Sequence, residues 1–354
     1  RDVSIEAGNK IEIASAQDSY QHQQSHKQSS SGLMAGYSKG VIGLGVVDSS
    51  SASQASIESS TQHGSGIASL EGNTRIQAGQ QLTVIASDVS AGKDLSLISK
   101  NIDLSAAQDN SVTHKTQQSQ SSGFGIGLTI NPVDAFKSAY DESSKNNKAT
   151  SVAGKVVSVT EATASGTLAA VTPVVVEAHS RSASANRDAA TSNARASSLK
   201  AGGDLNILAT DGSINSEGTS ISAEGNAALL AKNSINLDVA HNLESQTQDN
   251  KSSGWSLDNR GLLPVGVFDA KGKGKGTTDT VTGTSVSIGG KATFVTTEAD
   301  ITATGSNVVA NGDTVIIAAR NLTLQSGQDT AANDNHSNSN ATGKVVISDT
   351  ERFA

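Results

Sequence analysis

Residues 201–237 read AGGDLNILATDGSINSEGTSISAEGNAALLAKNSINL, and this stretch decides the fold. Gly202 is followed by apolar residues three and five positions later, Leu205 and Ile207. Apolar residues two positions apart lie on one face of a β-strand, whereas a helix orders them with a period of 3.6. The next such glycine is Gly225, 23 residues further along. A short strand, a turn and a second short strand that recur after roughly 20–23 residues describe one coil of a solenoid.

The same glycine-anchored alternation occurs along most of the chain. Gly289 and Gly312 are again 23 residues apart, and most units carry a second short alternation after the first, such as Ile102 with Leu104. In each coil the apolar side chains should point inwards and the polar ones outwards. Glycine has no Cβ and supplies a positive φ at a corner without steric cost. The structural turn glycines that we predict are Gly8, Gly79, Gly92, Gly202, Gly225, Gly289 and Gly312.

Long polar segments interrupt the coils. Each follows a Gln-Asp pair that ends a coil and is rich in Ser, Gln, His and Asn, and three of them continue into a strand in which glycine alternates with apolar residues. We interpret these segments as long β-hairpins or loops that project from the rod. A strand with one bare and one apolar face must pair or be covered. The Gln-Asp pairs lie at 17–18, 108–109, 248–249 and 328–329, and the glycine-alternating strands at 40–45, 123–127 and 261–266.

These patterns predict an all-β fold, a parallel β-helix with projecting β-hairpins. Roughly seven coils would form a rod of about 35 Å. Residues 131–177 depart from both patterns, and Pro132 followed by Val133, Phe136 and Tyr140 predicts a short helix there. The predicted order is a coil at 1–18, a hairpin at 19–65, coils at 66–109, a hairpin plus an irregular or helical insertion at 110–196, coils at 197–247, a hairpin at 248–283, coils at 284–330 and the start of a further hairpin at 331–354.

Composition excludes several classes of protein. The chain has 354 residues, a net charge of −8, 3% aromatic residues and no cysteine. The negative charge argues against a nucleic-acid binder, and no apolar run reaches the roughly 18 residues that span a bilayer. Without cysteine there are no disulfides, thiolate zinc sites or thiol nucleophiles. Because the sequence starts at Arg1 and ends in mid-pattern at Ala354, we interpret it as an internal fragment of a larger protein.

The coil, the Gln-Asp pair and the polar hairpin together resemble the haemagglutinin repeat of filamentous-haemagglutinin-type exoproteins. The resemblance rests on Ser15-Ala-Gln-Asp-Ser19 through Gly32, on Ala107-Gln-Asp-Asn110 through Gly123, and on Ala78-Gly79, Ala91-Gly92-Lys-Asp-Leu95 and Ala201-Gly202-Gly-Asp-Leu205. It covers most of the chain except residues 131–177 and the last few. The pattern is specific as several copies and weak as a single one.

The resemblance implies a right-handed parallel β-helical filament on the bacterial outer surface, secreted by two-partner (type V) secretion. The implied partners are an outer-membrane two-partner-secretion transporter and a receptor or the outer membrane of a target cell. It implies a non-enzymatic role in delivering a C-terminal toxin during contact-dependent growth inhibition. An alternative is a haemagglutinin-type adhesin segment that binds surface receptors or glycans. The family's secretion and toxin domains have no counterpart here, which places any enzymatic activity outside this sequence.

Six residues are candidates for contact with a membrane or a receptor. Lys271, Lys273 and Lys275 alternate with glycine but do not form a GxxxxGK[ST] phosphate loop. We predict a flexible, solvated tip, with weak contact to acidic lipopolysaccharide as the sharper interpretation. Trp255 and Phe268 flank the third glycine-rich strand, where such rings either cap a hairpin or stack on sugars. Phe124 belongs to the glycine-alternating strand at 123–127.

No catalytic, cofactor, metal or stable small-molecule site is predicted. His22 and His26 are four residues apart, but their polar flanks offer no helical face and no further ligand. The glycines at 123–127 lack the spacing of a dinucleotide loop. A β-helical polysaccharide lyase is a remote alternative. It would need a cluster of carboxylates in one groove, and the acidic residues here occur mostly singly, after glycine.

Overall fold

Three faces of short parallel strands build a rod. The computed structural model describes residues 1–38, 41–129, 174–259 and 265–342, and every regular element in these ranges is a β-strand. Face A contains β1 (Val3–Ala7), β6 (Thr74–Ala78), β9 (Leu95–Ser99), β14 (Leu205–Ala209), β17 (Ala227–Ala231), β21 (Ala292–Thr296) and β24 (Thr314–Ile317). Face B contains β2 (Lys10–Ala14), β7 (Gln81–Ile85), β10 (Asn101–Ser105), β15 (Ile214–Glu217), the start of β18 (Ile235–Asp258), β22 (Ile301–Thr304) and β25 (Leu322–Gln325). Face C contains β5 (Gly66–Ser69), β8 (Asp88–Ala91), β13 (Ser198–Ala201), β16 (Ser220–Ala223), β20 (Ser285–Ile288) and β23 (Asn307–Ala310).

Coils 1 to 6 each contribute one strand to each face, coil 7 contributes one to faces A and B, and the coils follow one another along the rod in chain order. Coil 1 contains β1, β2 and β5, coil 2 contains β6, β7 and β8, and coil 7 contains β24 and β25. Neighbouring coils pair in parallel without slippage, as in Leu205↔Ala227 and Leu199↔Ile221. The predicted parallel β-helix is therefore confirmed.

The core is a stack of aliphatic ladders inside the rod. On face A the inward column runs through residues that are each at most 1% exposed: Ile76, Leu97, Ile207, Leu229 and Phe294. Period-two alternation drives this arrangement, because every second side chain of a strand points to the same side. Each coil buries its apolar face against its neighbours, so the core is continuous along the rod.

Long strands form a second, antiparallel sheet, which we call the wall. It comprises β3 (Ala16–Ser38), β4 (Val41–His63), β11 (Ala107–Thr129), β12 (Val174–Arg195), β18 from Val239 onwards, β19 (Val265–Gly283) and β26 (Thr330–Thr342). They pair in the order β3-β4-β11-β12-β18-β19-β26. The predicted hairpins thus project from the rod, but as one sheet and not as separate arms.

The wall is continuous because its spacing matches that of the coils. Hairpins leave coils 1, 3 and 5, and β26 leaves coil 7, always between face B and face C. Strands in a sheet lie about 4.8 Å apart, so two coils rise about 9.6 Å, which is also the width of a two-stranded hairpin. One hairpin for every two coils therefore fills the wall without a gap.

The coils without a hairpin turn the same corner with a residue in the left-handed region. These residues are Ala86 (φ 45°) in coil 2, Gly218 (φ 61°) in coil 4 and Gly305 (φ 53°) in coil 6. A tight left-handed turn and a hairpin are thus alternative connections at one corner. Ala86 is the costly member of the set, since a Cβ disfavours positive φ.

The predicted turn glycines allow neighbouring coils to approach closely, and they do not adopt a positive φ. None of the seven lies in the left-handed region. A Cβ on Gly79 would instead meet the carbonyl oxygen of Gly8, and a Cβ on Gly289 would meet that of Glu224. A Cβ on Gly8 would point into open space, with nothing within 4 Å. The reason given from sequence was therefore wrong, although six of the positions do adjoin neighbouring residues closely.

For two of the predicted turn glycines, Gly225 and Gly312, the prediction of which following residues enter the core is wrong by one position. The residues that follow Gly225 and Gly312 at +3 and +5 point outwards, because Ala227 and Leu229 are the buried ones in β17. Backbone hydrogen bonds align Gly203, Gly225, Gly290 and Gly312, so the residues at +2 and +4 from each of these glycines point towards the core. The outward pair after Gly225 is Ala228 and Leu230, and that after Gly312 is Val315 and Ile317.

The third hairpin leaves its coil earlier than the sequence suggests. From Val239, β18 pairs antiparallel with β19, so Gln248-Asp249 lies within the wall and not at the end of a coil. Of the predicted helical segment 131–177, residues 131–173 lie outside the described residues, and Val174–Glu177 begin β12. Among the described residues no helix has the length and apolar character needed to cross a membrane.

Candidate functional site

The end of the wall far from the rod carries an exposed apolar surface. Cross-strand partners lie on the same face of a sheet, and Ala178 pairs with both Phe124 and Leu257. We call this side the front face and its apolar part the distal band. The band consists of Leu33, Ala35, Ile42, Leu44, Val46, Phe124, Ile126, Leu128, Val174, Val176, Ala178, Trp255, Leu257, Val265 and Val267.

The distal band is large for an uncovered surface. Its outline spans seven residues along the strands and six strands across, or about 23 Å by 24 Å at the usual strand dimensions, and its residues fill roughly two thirds of that outline. Its side chains stand well out of the sheet, with Leu44 71% and Leu128 58% exposed. An apolar patch of about 350 Å² is within the range of the largest patches on monomeric proteins, which are often functional.

Glycine on the back face lets other groups lie close to the sheet. A Cβ on Gly127 would clash with the side chain of Val41, which is buried, as is Val175. Nearer the rod, the ring of His179 lies over Gly123 and the ring of Phe268 lies over Gly254. The glycine-alternating strands therefore present one smooth, partly filled face and one exposed apolar face.

The structure divides the six candidate contact residues between the two faces. Phe124 and Trp255 belong to the distal band, whereas Phe268 lies on the back face. Trp255 occupies the row of the band nearest the rod, opposite Val267. Trp255 and Phe268, which flank the third glycine-rich strand in the sequence, therefore lie on opposite faces of the wall and do not form one site.

The three lysines lie on the front face between the distal band and the rod. They were predicted to form a flexible tip, and this was wrong: β19 runs through them and pairs with β18 and β26. Glycine alternates with lysine, so all three ammonium groups share the front face. Lys271 Nζ lies 3.3 Å from Asp269 Oδ2, and Lys273 Nζ lies 4.0 Å from Asp249 Oδ2. These exposed pairs leave the lysines accessible to anions.

Each hairpin has one His–Asp pair that joins its two strands, a feature that sequence spacing did not reveal. His63 Nε2 lies 3.2 Å from Asp18 Oδ2, His241 Nδ1 lies 3.0 Å from Asp279 Oδ2, and His114 contacts Asp188. His22 and His26 lie in β3, and no group of three His, Asp or Glu side chains suited to a metal ion occurs in the described parts of the chain.

Buried hydroxyl groups fasten the base of the wall to the rod. Thr219 Oγ1 donates a hydrogen bond to the Leu104 carbonyl oxygen at 3.2 Å, and Thr284 Oγ1 donates to the Asp238 carbonyl oxygen at 3.0 Å. Both threonines are fully buried. Each precedes a face C strand by one position, and the recurrent Ser or Thr there was a signal available in the sequence.

Carboxylate and amide caps connect successive hairpins. Asp109 Oδ1 accepts a hydrogen bond from the backbone N–H of Gln62 at 2.5 Å, and Asp329 Oδ1 accepts one from the backbone N–H of Val281 at 2.8 Å. In the third hairpin the same role falls to Asn242, whose Oδ1 accepts from the Ala194 amide at 2.8 Å. Two of the Gln-Asp pairs are therefore caps at the base of the wall.

Comparison with known proteins gives consistent matches. The family model described as "Hemagglutinin repeat" matches residues 1–47, 46–170 and 177–341. "Toxin CdiA" of Yersinia pestis is 30% identical over 93% of this chain and 10% of its own length. "tRNA nuclease CdiA-2" of Burkholderia pseudomallei strain 1026b is 30% identical over 67% of this chain and 8% of its own. "tRNA nuclease CdiA" of Escherichia coli strain STEC_O31 is 27% identical over 97% and 11%. The chain spans about a tenth of the length of these relatives.

Proposed function

The chain belongs to the hemagglutinin repeat family, and we propose that it is the non-enzymatic segment of a contact-dependent inhibition exoprotein that engages a target cell and helps to carry a toxin across its outer membrane. Exoproteins of this type are secreted and displayed on the bacterial outer surface. The relatives are named as nucleases or toxins, and we place any such activity outside this segment. The observation that carries the proposal is the distal band.

The dimensions of the band suit an outer membrane. Its extent of about 23 Å along the strands is close to the roughly 25 Å apolar belt of outer-membrane β-proteins. In the band β4 is paired with β3 and β11, and β11 with β4 and β12, so these two central strands would bring few unpaired backbone groups into lipid. Transfer of about 350 Å² from water is worth on the order of 10 kcal/mol before the costs of association.

Polar and aromatic groups lie where they would meet the membrane surface. Trp255 is in the innermost row of the band, and aromatic residues favour the boundary between lipid and water. Lys271 and Lys251 face each other four residues nearer the rod, at about 13 Å. Long lysine side chains reach anionic headgroups from such positions. The front face thus passes from a polar part, through a part that carries lysines, to an apolar end.

Export and delivery would use the same stack of coils. We propose an outer-membrane transporter as the export partner, with each coil folding on its predecessor outside the cell. Each new coil buries aliphatic side chains on its neighbour, which would prevent the chain from slipping back through the pore.

Vesicle flotation tests the membrane contact. We expect the chain to float with vesicles of phosphatidylethanolamine, phosphatidylglycerol and lipopolysaccharide. Leu44→Asp/Ile126→Asp should weaken vesicle affinity at least tenfold, because the two positions pair within the band. The matched control is Gln54→Asp/Thr116→Asp, an equivalent cross-strand pair in the polar part of the same two strands. Equal loss in both double variants would contradict the proposal.

The delivery step is tested in the complete exoprotein. With Leu44→Asp/Ile126→Asp, producer cells should still attach to target cells but should fail to inhibit their growth. Attachment is measured by flow cytometry and inhibition by counts of viable target cells. Undiminished inhibition by a displayed variant would refute the delivery role.

An adhesin is the second candidate, and a cleft on the back face favours it. Serine hydroxyls line the cleft together with the ring of Phe268, among them Ser30, Ser49 and Ser121. Hydroxyl groups beside an aromatic ring suit a sugar, whose faces stack and whose hydroxyls hydrogen-bond. Saturable binding of the chain to cells that is lost in Phe268→Ala and kept in Leu44→Asp/Ile126→Asp would favour this function.

A further inference from the structure

An outward-facing apolar ladder runs along face A of the rod, away from the wall. It consists of Ile98, Leu208, Leu230, Val295 and Ile317, one from each of coils 3 to 7. Backbone pairing places them in a single column, as in Ile98↔Leu208 and Leu230↔Val295. They point outwards because their neighbours in sequence fill the core. The first four are partly exposed, and Ile317 is 53% exposed.

A ladder of charges follows the corner beside this column. Along coils 3 to 7 the signs alternate through Lys100, Asp211, Lys232, Glu298 and Arg320. Lys232 Nζ lies 2.8 Å from Asp211 Oδ1 and 3.8 Å from Glu298 Oε1. The alternating charges stabilise the corner within one rod, and they can also pair with the complementary charges of an opposing copy.

We propose that face A is a self-association surface whose occupant is a second copy of this chain, with its rod antiparallel to the first. A two-fold axis along the strands, between coils 4 and 5, brings each face A column against the same column of the second copy. Leu208 then lies opposite Leu230 of the second copy, and Ile98 lies opposite Val295. Asp211 meets Lys232, and Lys100 meets Glu298. Each of these four charges therefore faces its opposite.

The size of the surface sets the expected strength. The axis sets coils 3 to 6 of the two copies against each other. Four coils of about 4.8 Å and strands of about 16 Å give roughly 300 Å² for each copy. The total of about 600 Å² is below the 1,200–2,000 Å² of stable interfaces, so association should be weak for this chain alone. A longer stack of coils with the same ladder would add contacts in parallel and gain avidity.

Sedimentation velocity of the 354-residue chain from about 1 to 500 µM is the test. We expect a reversible monomer–dimer equilibrium with a Kd of roughly 10 µM to 1 mM, in keeping with the small area. Leu208→Ser/Leu230→Ser should raise the Kd at least tenfold. Val309→Ser is the control, because Val309 is an exposed aliphatic residue on face C. A chain that stays monomeric to 500 µM, or a dimer that tolerates the leucine changes, would overturn the proposal.

Charge exchange tests whether the ladder of charges contributes to the association. Lys100→Glu/Lys232→Glu and Asp211→Lys/Glu298→Lys should each remain monomeric, and their mixture should form heterodimers. Thermal melting checks that both variants are folded. If either does not fold, Lys232→Glu and Asp211→Lys serve as single-site replacements. A mixture of folded variants that does not associate better than either component would exclude this contribution.

Discussion

The match between coil height and hairpin width makes a sharp prediction about the wall. Residues 202–223 form coil 4, and Ala201 and Ala223 occupy the same position in face C, so deletion of 202–223 joins Ala201 to Glu224 in register. The second and third hairpins would then leave adjacent coils. Their bases would be about 4.8 Å apart where two strands require about 9.6 Å.

The loss can be estimated from the contact between the two hairpins. β12 and β18 pair from Glu177↔Asp258 to Ser192↔Leu243, which is sixteen residue pairs. At about 0.5 kcal/mol net for each of roughly sixteen hydrogen bonds, the wall loses about 8 kcal/mol. The rod loses one coil of seven but keeps its parallel pairing. We therefore expect a folded rod with a wall divided between β12 and β18.

Hydrogen exchange measured by mass spectrometry reports this directly. Amides of 177–192 and 243–258 should lose protection in the deletion, whereas coil strands such as β7 should keep it. The control deletes 92–223, which removes coils 3 and 4 together with the second hairpin and joins Ala91 to Glu224, again in register. This control keeps two coils per hairpin, so β18 should pair with β4 and its amides should stay protected from exchange. Full protection of β12 and β18 after removal of coil 4 alone would refute the reasoning.

Three further predictions concern single residues, each followed by urea or thermal unfolding. Ala86→Gly should raise stability by about 0.5 kcal/mol because it relieves the positive φ, whereas Ala91→Gly, in a regular strand, should lower it. Thr219→Val should cost about 1 kcal/mol, since it removes a buried hydrogen bond to the Leu104 carbonyl oxygen, and Thr219→Ser should retain most of the stability. The hydrogen bond from Lys232 and the charge of Lys232 lower the pKa of Asp211 below the ordinary 3.8. The ionised Asp211 therefore stabilises the folded chain above pH 3.8, and this stabilisation is lost as the pH falls through the pKa that Asp211 has in the folded state. The difference in urea midpoint between the chain and Asp211→Asn should accordingly shrink between pH 5 and pH 2.5.

The rod could be predicted because its signal is local. Each strand is four or five residues long, and alternation such as Leu205 and Ile207 fixes which side chains enter the core. The one-residue slip at Gly225 and Gly312 has an equally local cause. In AALLA and TVII both faces are apolar, so alternation does not distinguish Leu229 from Leu230. Only alignment with Gly203 through the backbone ladder resolves the register.

The wall could not be predicted from alternation, because its partners are distant in sequence and its middle is uniform. β4 pairs with β11 through serine, glutamine and alanine, which fit many registers equally well. The register comes from the base of each hairpin, where the coil fixes the height and caps such as Asp109 and Asn242 fix the first pair. The distal band could be predicted only in part. The sequence identifies Phe124 and Trp255 as candidate contact residues, but it does not show that both lie on one face.

The composition of the chain follows from the demands of this second sheet. Strands of about 23 residues place the distal band at the far end of a wall roughly 75 Å long, so the hairpins and not the coils determine how far the apolar surface reaches from the rod. Across such a wall, like charges directly opposite each other would repel, whereas small hydroxyl and amide side chains hydrogen-bond in any register. Ser182 and Ser253, whose hydroxyls are 3.1 Å apart across β12 and β18, show the result. The middle of the wall is thus built mainly from such small polar side chains, although Lys115 pairs with Arg187, and the aliphatic residues lie at the far end, where contact with a target is expected. Replacement of the middle by charged residues of one sign should therefore separate the hairpins before it alters the rod.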